Sequence, residues 1–199
     1  MVPAPSVPPP EPKPPEPQPR EPALQGPPHL QAARHRQAAD LTELFRDAFR
    51  HHAAGVAILT AVWDGVPYGF TATSLASLSA DPPRFTFNMA VSASAWPAVA
   101  NGEYVGVHLL GLDHAGLANR FARGPDRFSG DHWEPGPFGI PLLKDVRGWL
   151  LGRILLRLSF GNNAVVVAEV ADGGIGADGH PLLYHGGSYH RAAALEYEI

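Results

Sequence analysis

Short apolar and β-branched runs, separated by glycine, proline and small polar residues, dominate the chain from about residue 54 onward. Runs of this length are typical of buried strands, because an amphipathic helix needs a longer segment with a 3.6-residue period. Asp64-Gly65, between the first two runs, predicts a tight hairpin turn, since this dipeptide readily adopts positive φ angles. The pattern predicts strands over residues 56–62, 68–73, 84–89, 104–109, 148–158 and 163–170, and a final segment over 182–191 that ends the fold.

Helical periodicity is found in three places. Apolar residues between 29 and 53 recur at helix-like intervals, with Asp40 and Thr42 as candidate caps. Residues 95–100 and 115–121 predict two shorter helices. The segments 124–137 and 172–181 are rich in Gly and Pro, so they predict a long ordered loop and a turn-rich connection. Many short strands and few helices make the predicted fold class mainly β, with a β-barrel core and flanking helices.

Proline dominates the start of the chain. Residues 1–28 hold 13 of the 22 prolines and almost no aliphatic side chains. Such a segment cannot bury enough apolar area to offset the entropy lost on ordering. We therefore expect a disordered proline-rich tail over residues 1–38 and one folded domain over residues 39–199. The tail is either a dispensable solvated extension or a tether for a partner with an aromatic groove.

Composition narrows the function classes. A net charge of −4 without a basic stripe gives no sign of nucleic-acid binding, and no apolar run is long enough to cross a bilayer. The absence of cysteine excludes disulfides, thiol chemistry and cysteine zinc sites. The adjacent His51 and His52 point apart on a helix, which is poor geometry for a metal. We expect a cytoplasmic protein with no metal, nucleic-acid or membrane site.

The segment 69–83, GFTATSLASLSADPP, carries the candidate chemistry. Its small side chains allow a ligand to approach the main chain, and its hydroxyls both donate and accept hydrogen bonds. This combination suits a bound polar ring or a phosphate. The alternative is an ordinary surface strand, since threonine fits a half-buried sheet well. The hydroxyl-bearing residues are Thr71, Thr73, Ser74, Ser77 and Ser79.

This segment resembles the flavin reductase family, the small reductase components of two-component flavin monooxygenases. Family members carry the block G-[MF]-T-[AC]-x-S-[FL]-x-S-[VL]-S-x-[DE]-P-P. The resemblance runs from about residue 42 to 191 and implies an FMN-binding split barrel, usually a homodimer with the flavin near the subunit interface. Its further parts are the opening helix and strand at 45–48 and 54–60, the middle segment at 120–122 and 126–130, and the closing strand at 181–189.

The resemblance also implies which residues hold the cofactor. Phe70 has an alternative role in ordinary core packing, and Asn163 is the candidate residue on the nicotinamide side. No metal ligand is implied. The implied cofactor-binding residues are Phe70, Thr71, Ala72, Thr73, Ser74, Asn88, Met89, Ser92, Ser94, Arg120, Phe121, Tyr184, His185, Gly186 and Gly187.

The phosphate-binding segment departs from the family pattern. Relatives commonly have a cation and hydroxyls there, which grip the phosphate through charge-assisted hydrogen bonds. This chain keeps the hydroxyls of Ser92 and Ser94, but has Ala90 where the family has a charged residue. Arg120 or Arg127 is the candidate for the missing cation, and a solvated surface charge is the alternative for each.

Two further departures lie on the nicotinamide side. Asn163 stands where many relatives have a histidine, and an amide does not titrate near pH 7. Gly186 stands where arginine is frequent, so His185 is the candidate for its role; a partly exposed strand histidine is the alternative. Hydride transfer needs an oriented and dry pair of rings rather than a protein acid or base. These departures therefore need not abolish reductase activity.

The function implied is an NAD(P)H-dependent flavin reductase that supplies reduced FMN to a flavin-dependent monooxygenase. The cofactors are FMN or FAD, with NADH or NADPH as the donor. One alternative is a non-catalytic flavin-binding or scaffold subunit with the same fold. The other is an enzyme of this fold that uses another cofactor, such as haem or a deazaflavin.

Overall fold

The structure, a computed structural model, describes residues 38–194. The predicted proline-rich tail and the helical pattern before residue 38 lie outside the described residues. The chain divides after Glu43 into two units. Residues 38–43 belong to the first unit and begin the first helix, and residues 44–194 belong to the second, compact unit.

Twelve strands and three α-helices make up the described part of the chain. The predicted helices over 95–100 and 115–121 are confirmed, as is the helix before the first strand from residue 38 onward. The helices are α1 Ala38–Arg50, α2 Trp96–Asn101 and α3 Ala115–Arg123. The strands are β1 Ala54–Gly55, β2 Ala57–Trp63, β3 Val66–Ala72, β4 Ala76–Ala80, β5 Pro83–Ala90, β6 Tyr104–Leu109, β7 Trp133–Pro135, β8 Pro141–Leu143, β9 Gly148–Phe160, β10 Asn163–Ile175, β11 Leu182–His185 and β12 Ser188–Arg191.

Seven antiparallel strands form the main sheet, in the order β3-β2-β6-β9-β10-β5-β4. The sheet curls strongly. Four strands separate β3 from β5 in the sheet, yet the centroids of the Phe70 ring on β3 and the Phe87 ring on β5 lie only 6.2 Å apart. Side chains from all these strands except the edge strand β4 fill the enclosed core, among them Leu59, Val107 and Val166. The predicted mainly β fold with a barrel-like core and flanking helices is confirmed.

Helix α3 packs on the outer face of β3. Its Phe121 is fully buried, and a Cβ at Gly69 of β3 would lie 2.6 Å from the Phe121 ring. The Thr71 hydroxyl donates a hydrogen bond of 2.6 Å to the Ala118 carbonyl oxygen. Only glycine at position 69 allows the helix to approach this closely.

The segment 182–191 is a hairpin rather than a single closing strand. Strands β11 and β12 pair through a turn at Gly186 and Gly187, whose φ angles are 59° and 93°. Positive φ at two successive positions favours glycine. The Gly186 amide donates to the Arg50 carbonyl oxygen, which ties the turn to the end of α1. The predicted Asp64-Gly65 turn is likewise confirmed, with φ angles of 51° and 72°.

Three sequence predictions need correction. Strand β4 was not predicted, because its sequence ASLSA has small polar residues without apolar alternation. The predicted long loop over 124–137 contains β7, which pairs with β8. The predicted turn-rich connection over 172–181 is wrong in its first half, because β10 continues to Ile175. Its glycines are sites of close approach: a Cβ at Gly174 would lie 2.7 Å from the Trp149 indole nitrogen.

Candidate functional site

A cavity of about 420 Å³ opens between β3, α3 and the β11–β12 hairpin, and we call it the β3–α3 cavity. This volume lies in the range of small-molecule sites. Four residues singled out in the sequence meet here: Thr71, Thr73, Tyr184 and Gly187. The other lining residues are Val56, Asn119, Ala122, Arg123, Ser188 and Tyr189.

The alternation of side chains along β3 creates one wall of this cavity. Thr71 and Thr73 point outward into the cavity, whereas Phe70 and Ala72 pack in the barrel core. Phe70 and Ala72 therefore serve a ligand only through their main-chain groups, and core packing is the role of the Phe70 ring. Because Thr71 donates its proton to Ala118, its oxygen remains an acceptor for a ligand donor.

Two tyrosines of the hairpin and Arg123 of α3 supply the other walls. The rings of Tyr184 and Tyr189 lie 5.6 Å apart in an edge-on arrangement. Burial raises the pKa of Tyr189, with a further rise from Tyr184 and an opposing effect of Arg123. Tyrosine is neutral near pH 7 even without such a shift, so Tyr189 offers a neutral hydroxyl donor. The cavity thus combines hydroxyls, aromatic surface and one cation, which suits a planar polar ring.

The residues that follow β3 are connected to the end of β5. The Ser74 hydroxyl donates to the Asn88 carbonyl oxygen and accepts from the Asn88 amide, both at 3.0 Å. Met89 is buried in the core, whereas Ser92 and Ser94 are exposed. None of these residues lines the β3–α3 cavity.

The two candidate arginines are used differently. Arg127 donates a 3.0 Å hydrogen bond to the Ser94 hydroxyl. Arg120 instead donates to the Ser129 carbonyl oxygen at 3.2 Å and faces His132. The structure therefore brings Arg127, rather than Arg120, to the serines that follow β5.

The remaining candidate residues lie outside the β3–α3 cavity. His185 and Gly186 line a neighbouring groove of about 430 Å³ beside α1, which shares Tyr184 and Gly187 with the cavity. Asn163 pairs with Ala90 at the end of β5 and lines neither hollow. Phe121 is buried beneath α3, where it supports the cavity rather than lining it.

Sequence reasoning missed the contribution of α3 to this site. Asn119, Ala122 and Arg123 share one helix face because they are spaced at i, i+3 and i+4. That spacing is readable in the sequence, but nothing local indicates which face meets β3. Ser188 and Tyr189 were also missed as lining residues, since the segment was read as one strand rather than a hairpin.

Two searches of the described residues gave negative results. Between residues 38 and 194, no three His, Cys, Asp or Glu residues come together in a way that could hold a metal ion. Within the same range, the helices are too short or too polar to span a membrane.

Comparison with known proteins identifies the family. The flavin reductase like domain matches residues 49–193 of this chain. The NADH:FMN oxidoreductase of Rhodococcus qingshengii is 36% identical over 160 residues, which cover 76% of this chain and 82% of that protein. The reductase component of 4-nitrophenol 4-monooxygenase/4-nitrocatechol 2-monooxygenase from Rhodococcus opacus is 34% identical over 149 residues, which cover 73% of this chain and 78% of that protein.

A solved structure gives the same result. The flavin reductase domain protein from Arthrobacter sp. FB24 superposes with a TM-score of 0.78 at 63% sequence identity, and the match covers 79% of this chain and 99% of that one. The family match spans more than half of the chain, and its limits enclose β3, α3 and the β11–β12 hairpin. The chain belongs to the flavin reductase family.

Proposed function

We propose that this protein is an NAD(P)H-dependent flavin reductase that supplies reduced FMN to a monooxygenase partner. The observation that carries the proposal is the β3–α3 cavity, in which the hydroxyls of Thr71 and Thr73 face a wall of tyrosines. The names of the relatives, NADH:FMN oxidoreductase and monooxygenase reductase component, support FMN, NADH and an oxygenase partner.

The residues of the cavity fit the isoalloxazine ring of a flavin. When bound, the flavin accepts a hydride from the nicotinamide and passes reducing equivalents on. Thr73 and the main chain of β3 hold the polar edge of the ring, because a strand presents donors and acceptors at regular spacing. Tyr184 and Tyr189 supply aromatic surface, and Arg123 stabilises negative charge at the ring.

Positioning is the main catalytic contribution of this site. Tyr189 is protonated near pH 7, as any tyrosine is, and burial raises its pKa further. Its hydroxyl therefore acts as a donor rather than as a base. Hydride transfer needs the reacting carbon and nitrogen within about 3–3.5 Å of each other in a dry environment. The hairpin turn at Gly187 borders both the cavity and the α1 groove, so it shapes the side from which the nicotinamide enters.

We further propose that the protein is a homodimer. Leu156, Leu158 and Phe160 lie on one face at the end of β9 and are 50%, 47% and 63% exposed. An apolar stripe of this kind on a strand favours a protein interface, and a second copy of the chain is the occupant that we propose. Leu158→Glu should give monomers in light scattering after size exclusion, and Ser159→Glu on the opposite face should not. Monomeric wild-type protein would contradict this proposal.

The same family match supports the remaining parts of the proposal. We take the barrel to be an FMN-binding split barrel. Residues 39–199 form the domain that contains it, and residues 1–38 form an appended tail. The enzyme is expected to work in the cytoplasm, where NAD(P)H is available. The match over residues 49–193 supports this domain division.

The test is oxidation of NADH and NADPH with added FMN, FAD or riboflavin. We expect flavin-dependent turnover, with NADH and FMN as the favoured pair. Ala122→Trp places a large side chain in the cavity and should abolish turnover. Gly116→Trp is the matched control on the same helix, because a Cβ there meets open space. Absence of turnover with any pair in folded wild-type protein would favour a scaffold role, and an absorption spectrum would then identify another cofactor.

A further inference from the structure

Arg147, between β8 and β9, joins two stretches of the chain: residues 109–113, which precede α3, and residues 176–180, which precede β11. In the first stretch, its guanidinium donates a hydrogen bond of 2.7 Å to the Asp113 carboxylate. In the second stretch, it donates to the main-chain carbonyl oxygens of residues 177 and 178, at 3.4 and 3.3 Å. One side chain therefore connects the approach to α3 with the approach to β11.

The main chain connects the same two stretches. The Arg147 amide donates to the Leu109 carbonyl oxygen, and the Arg147 carbonyl oxygen accepts from the Gly176 amide, both at 2.9 Å. The two stretches also bond each other directly, because the Leu112 amide donates to the His180 carbonyl oxygen at 3.2 Å. Arg147 thus lies at the centre of a hydrogen-bonded junction of three chain segments.

Two glycines allow the guanidinium to pack closely against both backbones. A Cβ at Gly111 would collide with the guanidinium, and a Cβ at Gly179 would lie 2.7 Å from its Cζ atom. The Nε atom is buried and has no hydrogen-bond partner among the described residues. The space between the two backbones therefore fits the flat shape of a guanidinium, which a lysine ammonium does not reproduce.

Both stretches lead into walls of the β3–α3 cavity. The first continues into α3, which carries Asn119 and Arg123, and the second continues into β11, which carries Tyr184. Helix α3 and the β11–β12 hairpin lie outside the seven-stranded main sheet, so the pairing of that sheet does not set the distance between them. Arg147 does not line the cavity, but lines a different hollow of about 480 Å³.

We propose that Arg147 is a positioning residue, which holds α3 at a fixed distance from the β11–β12 hairpin and so sets the width of the cavity. This inference rests on the proposed function. Two rings that exchange a hydride must be placed accurately, and a displacement of about 1 Å lowers such a rate by up to about 100-fold. Removal of an ordinary surface ion pair would instead leave turnover unchanged.

The first experiment needs no flavin. In hydrogen exchange followed by mass spectrometry, the amides of α3 and of the β11–β12 hairpin should exchange about 10-fold faster in Arg147→Ala than in wild type, and those of β5 should not change. Arg84→Ala is the matched control, because Arg84 bonds Glu169 at 2.9 and 3.0 Å and does not line the cavity. Unchanged exchange of α3 and the hairpin in Arg147→Ala would overturn the proposal.

The second experiment measures turnover of NADH and FMN in variants whose far-UV circular dichroism matches that of wild type. Arg147→Ala should lower kcat by about 10-fold, and Arg84→Ala by less than about twofold. Arg147→Lys should give an intermediate loss, because its ammonium keeps the charge but lacks the planar fork. Millimolar methylguanidinium, far below denaturing concentrations, should raise the kcat of Arg147→Ala several-fold, whereas methylammonium should not.

The outcomes separate the positioning role from the proposed function. A wild-type kcat in Arg147→Ala, or an equal loss in Arg84→Ala, would overturn the positioning role. Should Arg147→Ala fail to fold, the same measurements on Arg147→Lys decide the question. Absence of flavin-dependent turnover in wild-type protein would overturn the proposed function, and the hydrogen-exchange comparison would still decide whether Arg147 holds α3 and the hairpin together.

Discussion

The two faces of β3 have different surroundings: one packs in the apolar core, and the other lines the polar cavity. On the inner face, Phe70 and Ala72 pack into an apolar core made by neighbouring strands. On the outer face, Thr71 and Thr73 line a polar cavity whose other walls come from α3 and the β11–β12 hairpin. Because successive side chains alternate, the packing of the inner face fixes the register of the outer one. Changes to the interior should therefore alter stability, and changes to the outer face should alter binding.

Phe121→Ala should have the largest effect, because Phe121 packs in the buried cluster between α3 and the outer side of β3, directly behind the cavity wall. Its ring is fully buried beneath α3, and the helix above it forms a wall of the cavity. Removing a buried aromatic ring costs about 3–5 kcal/mol of folding free energy. Urea denaturation should show this loss, and binding of FMN and riboflavin should fall together. Normal flavin binding in a strongly destabilised variant would contradict the coupling of α3 to the cavity.

His108 should give a pH-dependent effect on stability alone. The side chain is fully buried in β6, Nδ1 donates to the Ile58 carbonyl oxygen at 3.1 Å, and Nε2 has no partner among the described residues. Burial lowers the pKa of His108 to about 4, and the bond to Ile58 opposes this shift. Between pH 6.5 and 4 the unfolded chain binds a proton at this residue and the folded chain does not.

The contribution of His108 is therefore complete above pH 6.5 and is lost as the pH falls toward 4. The loss amounts to about 3 kcal/mol across this window. Urea denaturation at a series of pH values should show the slope, which His108→Asn should flatten. His180→Gln, at an exposed histidine outside the core, is the control. An identical slope in His108→Asn and wild type would contradict the assignment.

Thr73→Ala should alter binding alone. The side chain is exposed and lines the cavity, so its removal leaves the core intact. Loss of one hydrogen bond of about 1 kcal/mol should weaken FMN and riboflavin binding by about fivefold each. Thr73→Ser keeps the hydroxyl and should bind like wild type. A change in the urea midpoint as large as the change in binding would show that the outer face also supports the fold.

Phe138→Gly should have the smallest effect. Phe138 is 65% exposed, has a φ angle of 56° and stacks on Tyr104 at 4.0 Å between ring centroids. Glycine relieves a strain of about 1 kcal/mol, and the lost stacking costs a similar amount. The urea midpoint should therefore change little, with flavin binding unchanged. A large change in either measurement would show that this surface aromatic has a further role.

Much of the barrel is predictable from the sequence because its strands are continuous apolar runs. Residues 56–62 and 104–109 are strands whose burial matches their composition. The prediction of strand ends failed where glycines lie inside a strand and allow close packing, instead of forming a turn. Gly173 and Gly174 resemble a strand end, but they lie within β10, where the close approach of Trp149 excludes a Cβ. Such an approach depends on a residue from another strand, so no local pattern reports it.

The candidate site likewise has residues that the local sequence predicts and residues that it does not. Thr71 and Thr73 are close in sequence, and the period of a strand places both on one face. The choice of Arg127 over Arg120 depends on how the loop after α3 is folded, and both arginines have similar neighbours in the sequence. To predict that Asn119 and Arg123 line the cavity, one must know which face of α3 packs against β3. Long-range packing therefore decides the parts of the site that the local pattern leaves open.

The carbonyl oxygens of residues 127–129, each of which accepts a side-chain hydrogen bond, also predict how the loop responds to ligand binding. A loop already held by His132, Trp133 and Arg120 loses little conformational freedom when a ligand binds. Ligand binding to the protein should therefore leave the hydrogen-exchange rates of the amides in this loop nearly unchanged.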